Sequence, residues 1–177
     1  MVKRDLIRNI IIAVLAIVVI SLLRVFVLST HRVTEGQAND YIHAGDYVTF
    51  NKKVEPHNKD FILYTVNGKE YTGRVTAMDD FLYVNDKPVE ETYISKDKSA
   101  YLATVSPGNF FTDDFSIGTL TDNKQTKIKK GQYLVLNDNR RDTEDSRKFG
   151  LIEKDQIKGV ISFRLYPLSR FGFVDVD

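Results

Sequence analysis

Cysteine is absent from all 177 residues, and this one absence excludes a disulfide scaffold, a thiolate zinc site and a cysteine nucleophile together. An oxidising compartment stays open, because it permits disulfides without requiring them. An excess of one charge is also missing: 25 Lys and Arg stand against 24 Asp and Glu, a formal +1 that gives no electrostatic ground for nucleic-acid binding. Ten glycines and four prolines are too few for a collagenous or low-complexity chain. His31, His43 and His57 share no i, i+4 spacing and no H-E-x-x-H or H-x-H pattern, so they read as solvated loop histidines and not as a metal site. No metal and no cofactor is expected. The remaining composition, 42% hydrophobic and 28% charged, is that of a folded chain of about one domain.

Charge and hydropathy are unevenly placed. Residues 1–30 carry Lys3, Arg4, Arg8 and Arg24 against Asp5 alone, a net +3 that leaves −2 for the rest. Ile10 to Leu28 is a run of 19 residues in which Ser21 and Arg24 are the only polar members. As a helix it spans roughly 28 Å, the thickness of one hydrocarbon core. Arg24 sits where a long side chain snorkels to the headgroups, and the basic cluster at the other end favours a cytoplasmic N-terminus. The expected organisation is a cytoplasmic basic N-terminus over 1–9, a single transmembrane anchor over 10–28 and an extracytoplasmic domain over 29–177. Val27-Leu28-Ser29 weakly suits signal-peptide cleavage, but the run exceeds the usual h-region of about 7–15 residues, so a retained anchor is expected.

Beyond residue 30 the helical period gives way to short strand-like runs bounded by turn residues. Tyr47 to Phe50, Phe61 to Val66, Lys69 to Thr76, Leu82 to Val84 with Asn85-Asp86-Lys87-Pro88, Tyr133 to Leu136 and Ile157 to Leu165 predict a mainly β body. Asn67-Gly68 between two such runs predicts a hairpin, because both central residues of a type I′ turn need positive φ. Residues 95–131, with isolated aromatics at Phe110, Phe111 and Phe115, read as a long excursion with little regular structure, and those aromatics as satellite packing or a docking patch.

The most specific stretch is Leu136-Asn137-Asp138-Asn139-Arg140-Arg141-Asp142-Thr143-Glu144-Asp145-Ser146-Arg147-Lys148-Phe149-Gly150. From its residues alone it is a polar turn in which Asp138, Asp142 and Asp145 pair with Arg140, Arg141 or Arg147 on the surface. It also resembles the G-D-N-R-x-x-S-x-D-S-R-x-x-G box of type I signal peptidases, the membrane-anchored Ser/Lys proteases of the S26 peptidase family that remove signal peptides from exported proteins. The resemblance extends to the N-terminal anchor, Gly45-Asp46, Arg74-Val75, Ile157-Lys158-Gly159 and Phe163-Arg164-Leu165-Tyr166-Pro167. It implies a transmembrane helix followed by an antiparallel β body, a structural box of Asp138, Asn139, Arg140, Thr143, Asp145, Ser146 and Arg147, and an ion pair between Asp145 and Arg147. The family's first box glycine is Asn137 here, and the serine that helps hold the general-base lysine falls on Thr143.

At the two catalytic positions the chain departs from the family. The nucleophile pattern S-M-x-P-T-L-x-x-G-D, counted back from Gly45-Asp46, places the serine on Gln37, with Ala38, Asp40 and Tyr41 for its Met, Pro and Thr. The base pattern K-R-V places the lysine on Gly73, while the family's following P-G-D has only a shortened counterpart at Asp79 or Asp80. A serine needs an adjacent base, and a lysine serves only when burial leaves it neutral, so an amide and a missing side chain remove the chemistry. The resemblance therefore implies a degenerate signal peptidase whose groove, at Gln37, Ala38, Gly73 and Val75, binds an exported polypeptide by strand addition without cutting it. Signal peptidase-like accessory proteins of Gram-positive pilus assembly also lack this pair, which makes pilin or its precursor the expected partner beside the lipid bilayer. The enzyme-class alternative is an active signal peptidase with a non-standard residue set. The third reading makes the chain structural, with Phe110, Phe111 and Phe115 docking a membrane protein.

Overall fold

The strands form where the sequence alternates or where an apolar run is buried on both faces. The computed structural model describes residues 2–77, 83–84, 87–88, 91–106, 109–112 and 115–174. Helix α1 (Val2–Phe26) leads into β1 (Leu28–Arg32), which pairs antiparallel with β2 (Tyr47–Asn51). The apolar run is thus not all helix: Leu28, expected to end the anchor, is the first residue of a strand and pairs with Asn51. Within α1 an 18-residue window has a mean hydropathy of 2.3 and none of it is buried in the body, so the helix is long and apolar enough to cross a membrane and is no core helix.

Next come β3 (Phe61–Val66) and β4 (Lys69–Ala77), joined through Asn67 and Gly68 at φ 50° and 78°, the hairpin that the Asn-Gly pair predicts. A two-stranded ribbon of β5 (Tyr83–Val84) and β6 (Lys87–Pro88) follows. The stretch expected to lack regular structure holds two short helices, α2 (Ser95–Leu102) and α3 (Ile117–Leu120). Local chemistry accounts for the second: the Ser116 hydroxyl caps α3 by accepting from the Thr119 N–H, a pairing too short to show as a period. β7 (Gln132–Leu136), α4 (Ser146–Phe149), β8 (Ile152–Glu153), β9 (Ile157–Tyr166) and β10 (Gly172–Phe173) complete the chain. The main sheet runs β1-β2-β9-β3-β4-β7-β8, with β10 also on β9. Met78, Asp79, Asp80, Leu82, Asn85, Asp86 and the Arg24 side chain lie outside the described residues.

Strand β3 explains the core. Phe61 and Leu63 face one apolar cluster with Val33, Ile42, Val48, Phe50, Ile161 and Val174. Ile62 and Tyr64 face a second with Val75, Tyr133, Val135, Ile152 and Val160. β7 is divided in the same way, Leu134 and Leu136 packing with Ile128 and, beside it, Phe115, Ile117 and Leu120. Phe111 is buried against Tyr101, while Phe110 is 70% exposed, so the aromatics of the excursion divide between packing and surface. Near the C-terminus Phe171 and Phe173 are exposed and stand edge-on to Phe163 at 5.0 and 5.1 Å, and Tyr166 is exposed against Tyr47.

Candidate functional site

A short 3-10 turn at Glu35–Gln37 follows β1 and lies beside β4, and the loop after β7 closes the third side of an open cleft. Its lining is Glu35, Gly36, Gln37, Ala38, Asn39, Thr72, Gly73, Asn137, Asp138, Asn139 and Asp142. Gln37 and Gly73, 36 positions apart in the chain, therefore meet in one cavity. The cavity is about 90 Å³, well below the roughly 300–1,000 Å³ of small-molecule sites, and suits one small side chain. Gln37, Ala38 and Gly73 line this cavity. Val75 is a correction: it is fully buried in the core beside Tyr133 and Val135, because β4 alternates and turns that position inward.

Gln37 is buried and its amide is bound at both ends. Its Oε1 accepts from the Thr34 backbone N–H at 3.0 Å and lies 2.8 Å from His31 Nε2, while its Nε2 donates to the Glu70 carbonyl at 3.0 Å. His31 is a second correction: instead of being solvated, it sits on β1 with 12% of its side chain exposed and its Nδ1 3.3 Å from Glu70 Oε2. The β1 pairing carries it under the turn, which local sequence does not disclose. The hydroxyl of Thr72 donates to the Gln37 carbonyl at 2.9 Å. At Gly73 an added Cβ would lie 2.5 Å from Val135 Cγ1 and 3.5 Å from Tyr64 Cε1, so the direction a side chain would take is filled by the second core cluster.

Behind the cleft Asp138, Arg140, Asp145 and Ser146 of the box are buried and not on a surface loop, and its ion pairs reach distant segments. Asp138 accepts two bonds from Arg74, at 2.9 and 3.0 Å, and that guanidinium, fully buried, lies 4.0 Å from the Phe61 ring and 4.2 Å from that of Tyr93. Burial pushes the Asp138 carboxyl above its ordinary range, and the bonds from Arg74 act against this. Arg140 holds Glu91 and also donates to Thr112 at 3.2 Å, tying the start of the excursion to the cleft. Burial raises the Glu91 carboxyl, but Arg140 and the Tyr93 hydroxyl outweigh it and leave it below the carboxylate range.

Asp145 and Arg147 form the expected ion pair at 2.6 Å, and the same aspartate accepts from the Asn137 and Arg147 backbone N–H groups at 2.9 Å each. The Ser146 hydroxyl accepts from Val135 N–H at 3.0 Å, fastening the box to β7. Asn139 lines the cleft and Oδ1 of its amide accepts from Arg141 N–H at 3.2 Å. Thr143 is exposed and outside the cleft lining, holding the turn through its carbonyl, which accepts from Asp145 N–H at 2.8 Å. Asp46, after Gly45 at φ 87°, is fully buried and pairs with Arg164 at 2.9 Å and Arg170 at 2.7 Å, joining the segment behind Gln37 to β9 and the turn after it. Sequence reasoning missed Thr72 and Asp142 as lining residues and Glu91 as a partner, because only the folded chain brings them there.

Comparison with known proteins bears on the whole chain. Signal peptidase IB of Staphylococcus aureus (strain MRSA252) is 30% identical over 186 aligned positions that cover 97% of this chain and 95% of the relative. Signal peptidase I of Bacillus caldolyticus is 32% identical, with 89% and 90% covered. The crystal structure of a signal peptidase I from Enterococcus faecalis V583 superposes with a TM-score of 0.50 at 26% identity, covering 60% of this chain and 97% of that one. The family described as signal peptidase, peptidase S26, matches residues 6–166, and with the sheet, the buried box and these relatives in agreement, the chain belongs to that family.

Proposed function

We propose that this is a membrane-anchored signal peptidase-family protein without protease chemistry, whose cleft holds an exported polypeptide, pilin or its precursor, as an assembly factor. The observation that carries this reading is the cleft lining. Where the family pattern asks for a serine and a lysine stand Gln37, its amide bound at both ends, and Gly73, and no serine, lysine, histidine or cysteine lines the cavity among the described residues. The Thr72 hydroxyl is spent on the Gln37 carbonyl, and no lysine or histidine stands in the lining among the described residues to activate it. Binding by backbone pairing needs neither group. Family membership supports exported polypeptides as the class of partner, and pilin follows from the resemblance to pilus-assembly accessory proteins.

A retained anchor is part of the proposal. Leu28 and Ser29 pair with Asn51 and Phe50, so cleavage there would cut the edge strand of the sheet. The basic residues before the apolar run favour a cytoplasmic N-terminus and support a body that lies outside.

The test is cleavage and retention of an exported precursor by the purified full-length protein in detergent, beside an active signal peptidase. Retention in a pull-down without product is expected. The names of the relatives favour the second reading, an active signal peptidase with other residues. Product formation that disappears in Thr72→Val, the cleft's one hydroxyl side chain, would establish it.

A further inference from the structure

The edge of β4 is covered unequally. On one side β3 pairs with it along its length, from Phe61 opposite Arg74 to Val66 opposite Lys69. On the other, β7 reaches only Arg74, Val75 and Ala77, so among the described residues no strand covers Lys69 to Gly73 there. Backbone polar groups alternate sides along a strand. Those of Val75 face the β3 side, its N–H donating to the Asp60 carbonyl at 2.9 Å and its carbonyl accepting from Lys59 N–H at 2.7 Å. The backbone groups of Glu70 and Thr72 therefore face the uncovered side, along the wall where Thr72 and Gly73 line the cleft.

Gln37 sits on that edge. Its Nε2 donates to the Glu70 carbonyl, as the N–H of an added strand would. A donor, Thr34 N–H, faces one end of the amide and a carbonyl faces the other, which fixes its orientation and makes His31 Nε2 the donor in the third bond. Glu70 Oε2 lies 3.3 Å from the other ring nitrogen of His31. The amide is a bridge from the wall of the 3-10 turn to the wall of β4, met from behind by His31.

We propose that Gln37 is a built-in plug: its carboxamide occupies the strand-addition edge of β4, and a polypeptide gains the Glu70 and Thr72 backbone only by displacing it. This rests on the polypeptide-binding reading of the same cleft. It assigns the residue in the nucleophile's place a present task, that of setting how readily the cleft opens. Displacement breaks the bonds to Thr34, His31 and Glu70 at once, so the open form is a minor fraction and apparent affinity falls by that fraction.

The experiment uses the full-length protein in detergent and, as probe, a fluorescent twelve-residue peptide spanning the Ala-x-Ala cleavage region of an exported precursor. Gln37→Ala, which removes the bridge, is expected to bind at least about fivefold more tightly than the unmodified chain. Gln37→Met, which keeps the bulk and loses the polar ends, is expected to fall between and guards against a fold lost in the smaller variant. Unchanged or weaker binding by both variants would overturn the plug. Should no form bind the probe, polypeptide binding fails and the plug is judged by hydrogen exchange. Thr72 amide exchange that rises about tenfold in Gln37→Ala, with Val160 unchanged, supports it, and no rise removes it.

Discussion

At the scale of single residues, the buried ion pairs decide the most. Arg74 is fully buried, bonded to Asp138 through two nitrogens and packed between Phe61 and Tyr93. Replacing Asp138 removes the carboxylate that balances this buried guanidinium, and breaking such a buried pair costs about 3–5 kcal/mol. Asp138→Ala is therefore expected to lower the thermal midpoint of the full-length protein in detergent by about 10 °C. Glu91 behaves differently. Its folded pKa is depressed by Arg140 and Tyr93 in spite of burial, so its contribution is complete above the unfolded value near pH 4.3 and is lost as pH falls through the lower folded value. Thermal scans from pH 6 downward should show a steeper loss below about pH 4.3 in the unmodified chain than in Glu91→Gln. The box was recognisable in the sequence and the Asp145–Arg147 pair with it, two residues apart. The partners of Asp138 and Arg140 were not, because Arg74 and Glu91 lie 64 and 49 positions away.

At the scale of elements, the strands that alternate or run apolar for five or six residues formed where the pattern placed them, and the hairpin turned at Asn67-Gly68. The elements the pattern did not disclose are β1, β8, β10 and the short helices; the strands are held by a neighbouring strand, and α3 and α4 by the Ser116 and Asp145 caps. Gly159 shows how closely two elements meet. A Cβ there would lie 2.5 Å from the Asn51 carbonyl oxygen and 2.8 Å from its carbon, and backbone on the facing strand cannot rotate away as a side chain would. Gly159→Ala should push β9 off β2 and cost about 1–3 kcal/mol, with faster exchange of the Asn51 and Val160 amides as the local sign.

At the scale of the whole molecule, one apolar helix leads straight into the edge strand of a sheet whose cleft lies three residues beyond that strand's end, so helix and site are joined by one short strand. Protease added to intact cells is expected to degrade the body and to leave an N-terminal fragment recognised by an antibody to residues 1–9, whereas full protection of the body would reverse the proposed topology. The sequence by itself determined the apolar N-terminal helix, the mainly β body and the family, because hydropathy, turn chemistry and a contiguous motif are local and survive without coordinates. It also named Gln37 and Gly73, by counting from Gly45-Asp46 and Arg74-Val75. Only the tertiary structure decided what those residues do: that Gln37 is bound on both sides, that Gly73 faces filled space, that His31 is held and Val75 is core. The reason is physical. Burial and hydrogen-bond satisfaction are properties of pairs brought together by sheet register, and no reading along the chain contains the register of strands that meet only when it folds.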